Sequence, residues 1–159
     1  MQSIQRILSA ALAFSLAFSA VPASAVSFLS AIEFADTQTG YMGGHFGSNP
    51  RVGFLSVTRD GGATFQAVRV NNTSPSGVAV ASVGTAYAAS SGDDLVLRTT
   101  NGGVTWETDS PVVGTSASFA DIATAAGGVV AVGERTGTID GDLATIYSSG
   151  SGSAPWLNR

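Results

Sequence analysis

Two runs of this chain set an acid or an amide among hydroxyls and glycines, and these are the residues best placed by type and spacing to do chemistry. They are Thr58-Arg59-Asp60-Gly61-Gly62-Ala63-Thr64-Phe65 and Thr99-Thr100-Asn101-Gly102-Gly103-Val104-Thr105-Trp106. Glycine reaches positive φ at no steric cost and Asp or Asn tolerates it, so Asp60-Gly61 and Asn101-Gly102 predict two-residue hairpin turns. The side-chain oxygens of Asp60 and Asn101 can accept bonds from turn N–H groups, and the hydroxyls of Thr58 and Thr99 can join the same loop. Phe65 and Trp106, expected on the outgoing strands, bring large apolar surfaces to bury. The chemistry so predicted is that of a turn bonded from within, with Gly62, Thr64, Gly103 and Thr105 as further parts of it.

Other polar groups offer less. Asp93-Asp94 and Asp140-Gly141-Asp142 carry oxygen ligands of the kind calcium takes, but calcium needs six to eight and neither run has a full loop pattern, so both read as solvated turns. His45, after Gly43-Gly44, is expected in a turn and has no companion His or Cys for zinc. Asn71-Asn72-Thr73-Ser74 holds two overlapping glycosylation sequons and marks a surface loop. No metal and no cofactor is expected.

The elements that position these residues repeat. The first copy runs Ser27–Phe34, a turn over 36–40, Tyr41–Gly44, then Val52–Val57 into the first octet. The second runs Gly77–Ser82, a turn at Val83-Gly84, Thr85–Ala89, then Leu95–Arg98 into the second octet. The third runs Ala117–Ala123, a turn at Gly127-Gly128, Val129–Gly133, then Leu143–Tyr147 into Ser149–Trp156. In that last octet Trp156 keeps its place, while Ser151 stands where the acid belongs and Ser153 replaces a glycine, so it reads as degenerate. Asp60, Asn101 and Ser151 are 41 and 50 residues apart. Periods of about 40 to 50 residues with four strands each suit the blades of a propeller.

Residues 1–25 precede the repeats. Arg6 is their only charge, an apolar stretch follows over 7–21, and Pro22-Ala23-Ser24-Ala25 closes it, which describes a cleavable secretory signal. A membrane-spanning helix needs about 20 apolar residues. There is no twin-arginine pair, so the general secretion route is expected. The exported chain, residues 26–159, has six scattered arginines, no lysine and eleven acids, a charge of −5 that excludes a nucleic-acid footprint. It has no cysteine, which excludes disulfides and thiolate chemistry and leaves packing to hold the fold.

The octets resemble the Asp-box, or BNR repeat, of β-propellers, with Phe for Trp in the first copy and Asn for Asp in the second. The phrase Phe34-Ala35-Asp36-Thr37-Gln38-Thr39-Gly40-Tyr41-Met42-Gly43-Gly44 resembles the opening of repeats in the photosystem II assembly and stability factor family. The resemblance implies an all-β fold with blades of four antiparallel strands, about three of them, over roughly 27–72, 73–114 and 115–159. The octet then sits on the hairpin between the third and fourth strands, away from the channel, as a structural element. The resemblance also implies a non-enzymatic propeller that docks on a protein or glycan partner, with photosystem II assembly as one such setting. The arginine-rich binding patch of those factors has no counterpart here.

The competing class is a fragment of a sialidase-like glycan-processing enzyme. That chemistry uses three converging arginines, a Tyr nucleophile beside a Glu, and an acid. Tyr41, Tyr87, Tyr147, Glu33, Glu107 and Glu134 are present without a telling spacing, and Asn49-Pro50-Arg51-Val52 matches the family's arginine motif poorly. Three blades are fewer than the four to eight of a closed propeller. The chain is therefore expected to be a fragment, with self-association to close the ring, or a marginally stable open arc, as the alternatives. The leader is tested first: N-terminal sequencing of the exported protein is expected to begin at Val26, and a membrane-retained product starting at Met1 would show an uncleaved anchor.

Overall fold

The computed structural model describes residues 27–47, 52–70, 73–91, 95–109, 116–125, 128–136, 143–150 and 156–158. The leader, Arg51, Asn71 and Asn72, Asp93 and Asp94, Asp140 to Asp142, and Ser151 to Pro155 lie outside them.

Twelve strands are described: β1 (Ser27–Phe34), β2 (Gly40–Phe46), β3 (Val52–Thr58), β4 (Gln66–Val70), β5 (Pro75–Ser82), β6 (Thr85–Ser90), β7 (Val96–Thr99), β8 (Glu107–Thr108), β9 (Ser116–Ala125), β10 (Gly128–Thr136), β11 (Leu143–Ser149) and β12 (Leu157–Asn158). They form three antiparallel sheets in chain order, β1-β2-β3-β4, β5-β6-β7-β8 and β9-β10-β11-β12. Each sheet is thus one repeat, and the turn at Val83-Gly84 joins β5 to β6 as its sequence predicts. Successive sheets meet mainly through their first strands, β5 lying against β1 and β2, and β9 against β5 and β6. Contact between blades is thus concentrated at the first strands, the arrangement expected of propeller blades.

Period-two alternation sends each strand's side chains to two faces. Register places Tyr41 beside Val57, with Leu55 on the same face, and this trailing face of the first blade packs on Val78, Ala86, Ala88 and Leu97 of the second. The second blade turns Ala79, Tyr87, Ala89 and Val96 toward Phe119, Ile122, Val129, Ala131 and Tyr147 of the third. Both junctions are apolar, and each is built around a tyrosine. Tyr41 is fully buried, and its hydroxyl donates to Val83 O across the junction at 2.6 Å. Phe119 meets Tyr147 edge-on at 5.7 Å between centroids.

Two glycines show how closely the layers approach. A Cβ on Gly43 would lie 2.9 Å from Pro75 Cβ of the next blade, and one on Gly77 would lie 2.7 Å from Asp121 Oδ1 of the third. Side chains there would force the blades apart.

Two of the expected turns differ from the structure. His45 is not in a turn; it is paired on both sides within β2, opposite Phe28 and Gly53, because the ladder runs on past the glycines. The octets are not two-residue hairpins either, since the last ladder pair before the first of them is Val57 with Gln66, leaving a longer loop.

The tyrosine junction can be measured. Tyr41→Phe is expected to lose about 1 kcal/mol of unfolding free energy, the usual net value of one hydrogen bond. Tyr41→Ala is expected to lose about 3–5 kcal/mol, as for large aromatic truncations. Urea melts check both, and a Tyr41→Phe chain as stable as the parent would show that the bond to Val83 contributes nothing.

Candidate functional site

The octet loops are organised by one buried hydroxyl each. Thr58 Oγ1 donates to Asp60 Oδ1 at 2.8 Å and accepts from Gly62 N at 2.9 Å. Asp60 then accepts from the Thr64 amide at 2.8 Å and the Thr64 hydroxyl at 2.5 Å. The second loop repeats this: Thr99 Oγ1 donates to Asn101 Oδ1 at 3.0 Å and accepts from Gly103 N at 2.9 Å. Asn101 Oδ1 accepts from the Thr105 amide at 3.0 Å, and its Nδ2 donates to the Thr105 hydroxyl at 2.8 Å. The threonine hydroxyl reverses role between the two loops, donating to a carboxylate in one and accepting from an amide in the other. That freedom lets Asp and Asn serve the same turn.

Consecutive glycines make the loops possible. Gly61 and Gly62 have φ of 69° and 92°, and Gly102 and Gly103 have 70° and 82°. These are left-handed values that side chains resist. Each loop is also tied to the opposite hairpin of its own blade, with Gly61 N donating to Gln38 O at 2.8 Å and Gly102 N donating to Gly84 O at 2.9 Å. Arg59 Nη2 reaches across to Gly102 O at 2.6 Å, linking one octet to the next.

The aromatic residues that close the octets lie just before the outgoing strands β4 and β8 rather than on them. Trp106 meets Tyr41 of the preceding blade edge-on, 6.2 Å between centroids. Trp156 is buried, and its Nε1 donates to Asp109 Oδ1 of the preceding blade at 3.3 Å. Phe65 holds the same post on the first blade and is half-buried. The rest of the third octet beyond Gly150 lies outside the described residues.

The phrase from Phe34 to Gly44 resolves into packing. Asp36 Oδ1 accepts from the amides of Gln38 and Thr39 at 2.8 and 2.6 Å and holds the turn between β1 and β2. The ring of Phe34 lies over Gly40, where a Cβ would come within 2.8 Å of it. The ring of Phe54 similarly crowds Gly44, at 2.8 Å from a Cβ.

Along the neighbouring first strands runs a link that no side-chain motif announces. Val80 N donates to Glu33 Oε2 of the first blade at 3.0 Å, and Val80 O accepts from Thr124 Oγ1 of the third at 3.0 Å. Ser76 Oγ adds a 2.6 Å bond to Phe119 O. The only sequence signal was an acid, Glu33, breaking an apolar strand.

The residues considered for glycan chemistry are dispersed. Tyr41, Tyr87 and Tyr147 are buried at blade junctions, Tyr87 with Arg98 5.9 Å from its ring centroid. Burial pushes the Tyr41 phenol up, with Arg59 pulling the other way. Glu107 and Glu134 are exposed on the second and third blades. His45 stacks on Phe28 at 5.0 Å and shares a 3.3 Å hydrogen bond with Ser74. Among the described residues no three His, Cys, Asp or Glu side chains gather to hold a metal, and no helix is long and apolar enough to cross a membrane.

No protein-family model and no curated protein matches the chain. Solved structures do. A structure of YCF48 bound to D1 peptide aligns with a TM-score of 0.58 at 19% identity, covering 85% of this chain and 42% of that one. The GH74 xyloglucanase from Xanthomonas campestris gives 0.60 at 17% identity, over 82% of this chain and 21% of the enzyme. YCF48 from Cyanidioschyzon merolae gives 0.54 at 23% identity, over 87% and 38%. The chain spans less than half the length of each. The fold is that of a β-propeller, and the described residues form three of its blades.

Asp60 supplies the pH test. Its hydrogen bonds, first from the Thr64 hydroxyl and amide and then from the Thr58 hydroxyl, lower its pKa from 3.8 to about 2. A carboxylate lowered in the folded state stabilises it above the ordinary pKa, and that contribution is lost as pH falls toward the folded value. Asp36 is lowered in the same direction by the Thr39 and Gln38 amides. Thermal melts from pH 5 down to pH 2 are expected to fall more steeply for the parent than for Asp60→Asn, whose amide can copy the Asn101 arrangement. Equal slopes would contradict the turn geometry.

Proposed function

We propose that this chain is part of an exported, non-enzymatic propeller that docks on a protein partner, with its two octets serving as Asp-box turns. The observation that carries this reading is where the polar motif residues are engaged. Thr58, Asp60, Thr64, Thr99, Asn101 and Thr105 bond within their own loops, and Tyr41, the tyrosine nearest the best-matched repeat, is committed to a blade junction. Such residues hold a scaffold. Recognition then falls to the loops between blades and to the rim formed by the first strands, as is general for scaffolded binding surfaces.

Two further points support it. The repeats resemble those of photosystem II assembly factors, and a propeller of this fold, YCF48, has been seen with a D1 peptide. An assembly-factor role, with an extended protein segment as the ligand, is the finer form of the proposal.

The second reading is a glycan-processing enzyme, favoured by the fold likeness to a xyloglucanase. One experiment separates them. The purified chain is titrated into fluorescent peptides, a D1 peptide included, and separately incubated with xyloglucan and a sialoside. Saturable anisotropy change without sugar release is expected, and sugar release that tracks enzyme concentration would overturn the proposal.

A further inference from the structure

Asn101-Gly102 is the chain's only Asn-Gly pair, and such a pair can attack itself. The backbone nitrogen after an Asn adds to the side-chain Cγ and closes a succinimide ring. A C–N bond forms, the side-chain amide leaves as ammonia, and water then opens the imide at either carbonyl. One opening gives Asp; the other gives isoaspartate, with the backbone rerouted through the side-chain carbon. Glycine makes the attack easy because no Cβ hinders its nitrogen.

The fold holds both reacting groups in other bonds. Gly102 N donates to Gly84 O at 2.9 Å, and a succinimide nitrogen has no proton to give, so closure of the ring must break that bond. Asn101 Oδ1, on the carbon to be attacked, accepts from the Thr99 hydroxyl and the Thr105 amide at 3.0 Å each. Nδ2, the leaving nitrogen, donates to the Thr105 hydroxyl at 2.8 Å. Arg59 Nη2 holds Gly102 at its other end, through a 2.6 Å bond to the carbonyl. Asn101 is exposed, so water reaches it, and what restrains the reaction is this set of bonds rather than burial.

The first octet shows where the reaction leads. Asp60 occupies the equivalent position with the equivalent threonine bonds, so an acid at position 101 finds a turn already suited to it. Isoaspartate lengthens the chain inside a loop whose bonds run from Thr99 to Gly103 and from Asn101 to Thr105, and it removes the side-chain reach that those bonds use. Asp60 is itself guarded against ring closure. Gly61 N donates to Gln38 O, and hydrogen bonds led by that of the Thr64 hydroxyl hold the Asp60 pKa at about 2, leaving a carboxylate that repels a nucleophile.

We propose that Asn101 is a site of spontaneous covalent modification gated by the opening of its own loop. Closed, the second octet withholds the Asn-Gly pair from succinimide formation. Open, it deamidates, either to an acid that reproduces the first octet or to an isoaspartate that cannot re-form the turn. The bonds that shape the loop thus also set its chemical lifetime.

The purified chain is held in mildly alkaline buffer, folded or unfolded in urea, and peptide mapping by mass spectrometry follows the amide-to-acid mass gain at Asn101. The folded chain is expected to react at least about thirtyfold more slowly than the unfolded one, since opening breaks more than two hydrogen bonds and each biases the loop by roughly fivefold. Thr105→Val removes the partner of Nδ2 at an exposed position and is expected to speed the folded reaction about fivefold. Hydrogen exchange at the Gly102 amide is expected to rise in step, while Thr105→Ser keeps the parent rate. Asn101→Asp, the direct product, is expected to unfold at the parent's urea midpoint, and isoaspartyl chains separated by chromatography at lower urea. Equal rates in the folded and unfolded chain, a Thr105→Val rate equal to the parent's, or an isoaspartyl chain as stable as Asn101→Asp would overturn the proposal.

Discussion

A four-stranded blade has two apolar faces and no interior of its own, so its stability rests on what lies against each face. Here the requirement is met twice within the chain, by the Tyr41 junction and by the Tyr87 junction. The small residues of β5 and β6, the close glycines Gly43 and Gly77, and the tryptophans that reach back to the preceding blade all follow from it. A tyrosine suits such a junction because its ring fills the apolar gap while its hydroxyl still finds a backbone carbonyl at the margin.

The octets answer a different need. Stacked blades leave the connection between third and fourth strands at the surface, where a long loop would cost conformational entropy unless held. A buried threonine hydroxyl holds it by bonding in two directions, to the acid or amide ahead of it and to a glycine N–H deeper in the loop. Charge is secondary to this geometry, which is why Asn101 replaces Asp60 without loss of form. The chain then fixes neighbouring turns to one another with Arg59 and fixes the first strands of the blades through the backbone of Val80. The result is a scaffold whose motif residues face inward on themselves.

Much of this was legible in the sequence. The repeat spacing, together with strands bounded by Gly and Asp turns, fixed the element order and the grouping into three sheets, because turn chemistry is local. The octet bonds were foreseen in kind, but not the size of the loop, since Thr58 and Asp60 draw the chain into a longer path than an Asp-Gly dipeptide implies. His45 was misplaced because two glycines read as a turn, where the structure uses them to let Phe54 and the next blade come close. The Glu33–Val80–Thr124 link was invisible for a physical reason: its central member contributes only backbone, and backbone groups carry no residue signature. The Phe34 ring over Gly40 shows the same limit, as the spacing was evident and its purpose was not.

That the octets are architecture is tested most directly by Thr99→Val. The substitution keeps the shape of the side chain and removes the hydroxyl, leaving the Gly103 N–H without its partner. Denaturant unfolding should show a loss of about 1–3 kcal/mol, the cost of a buried donor left unsatisfied. Unchanged stability would contradict the structural role of the octet.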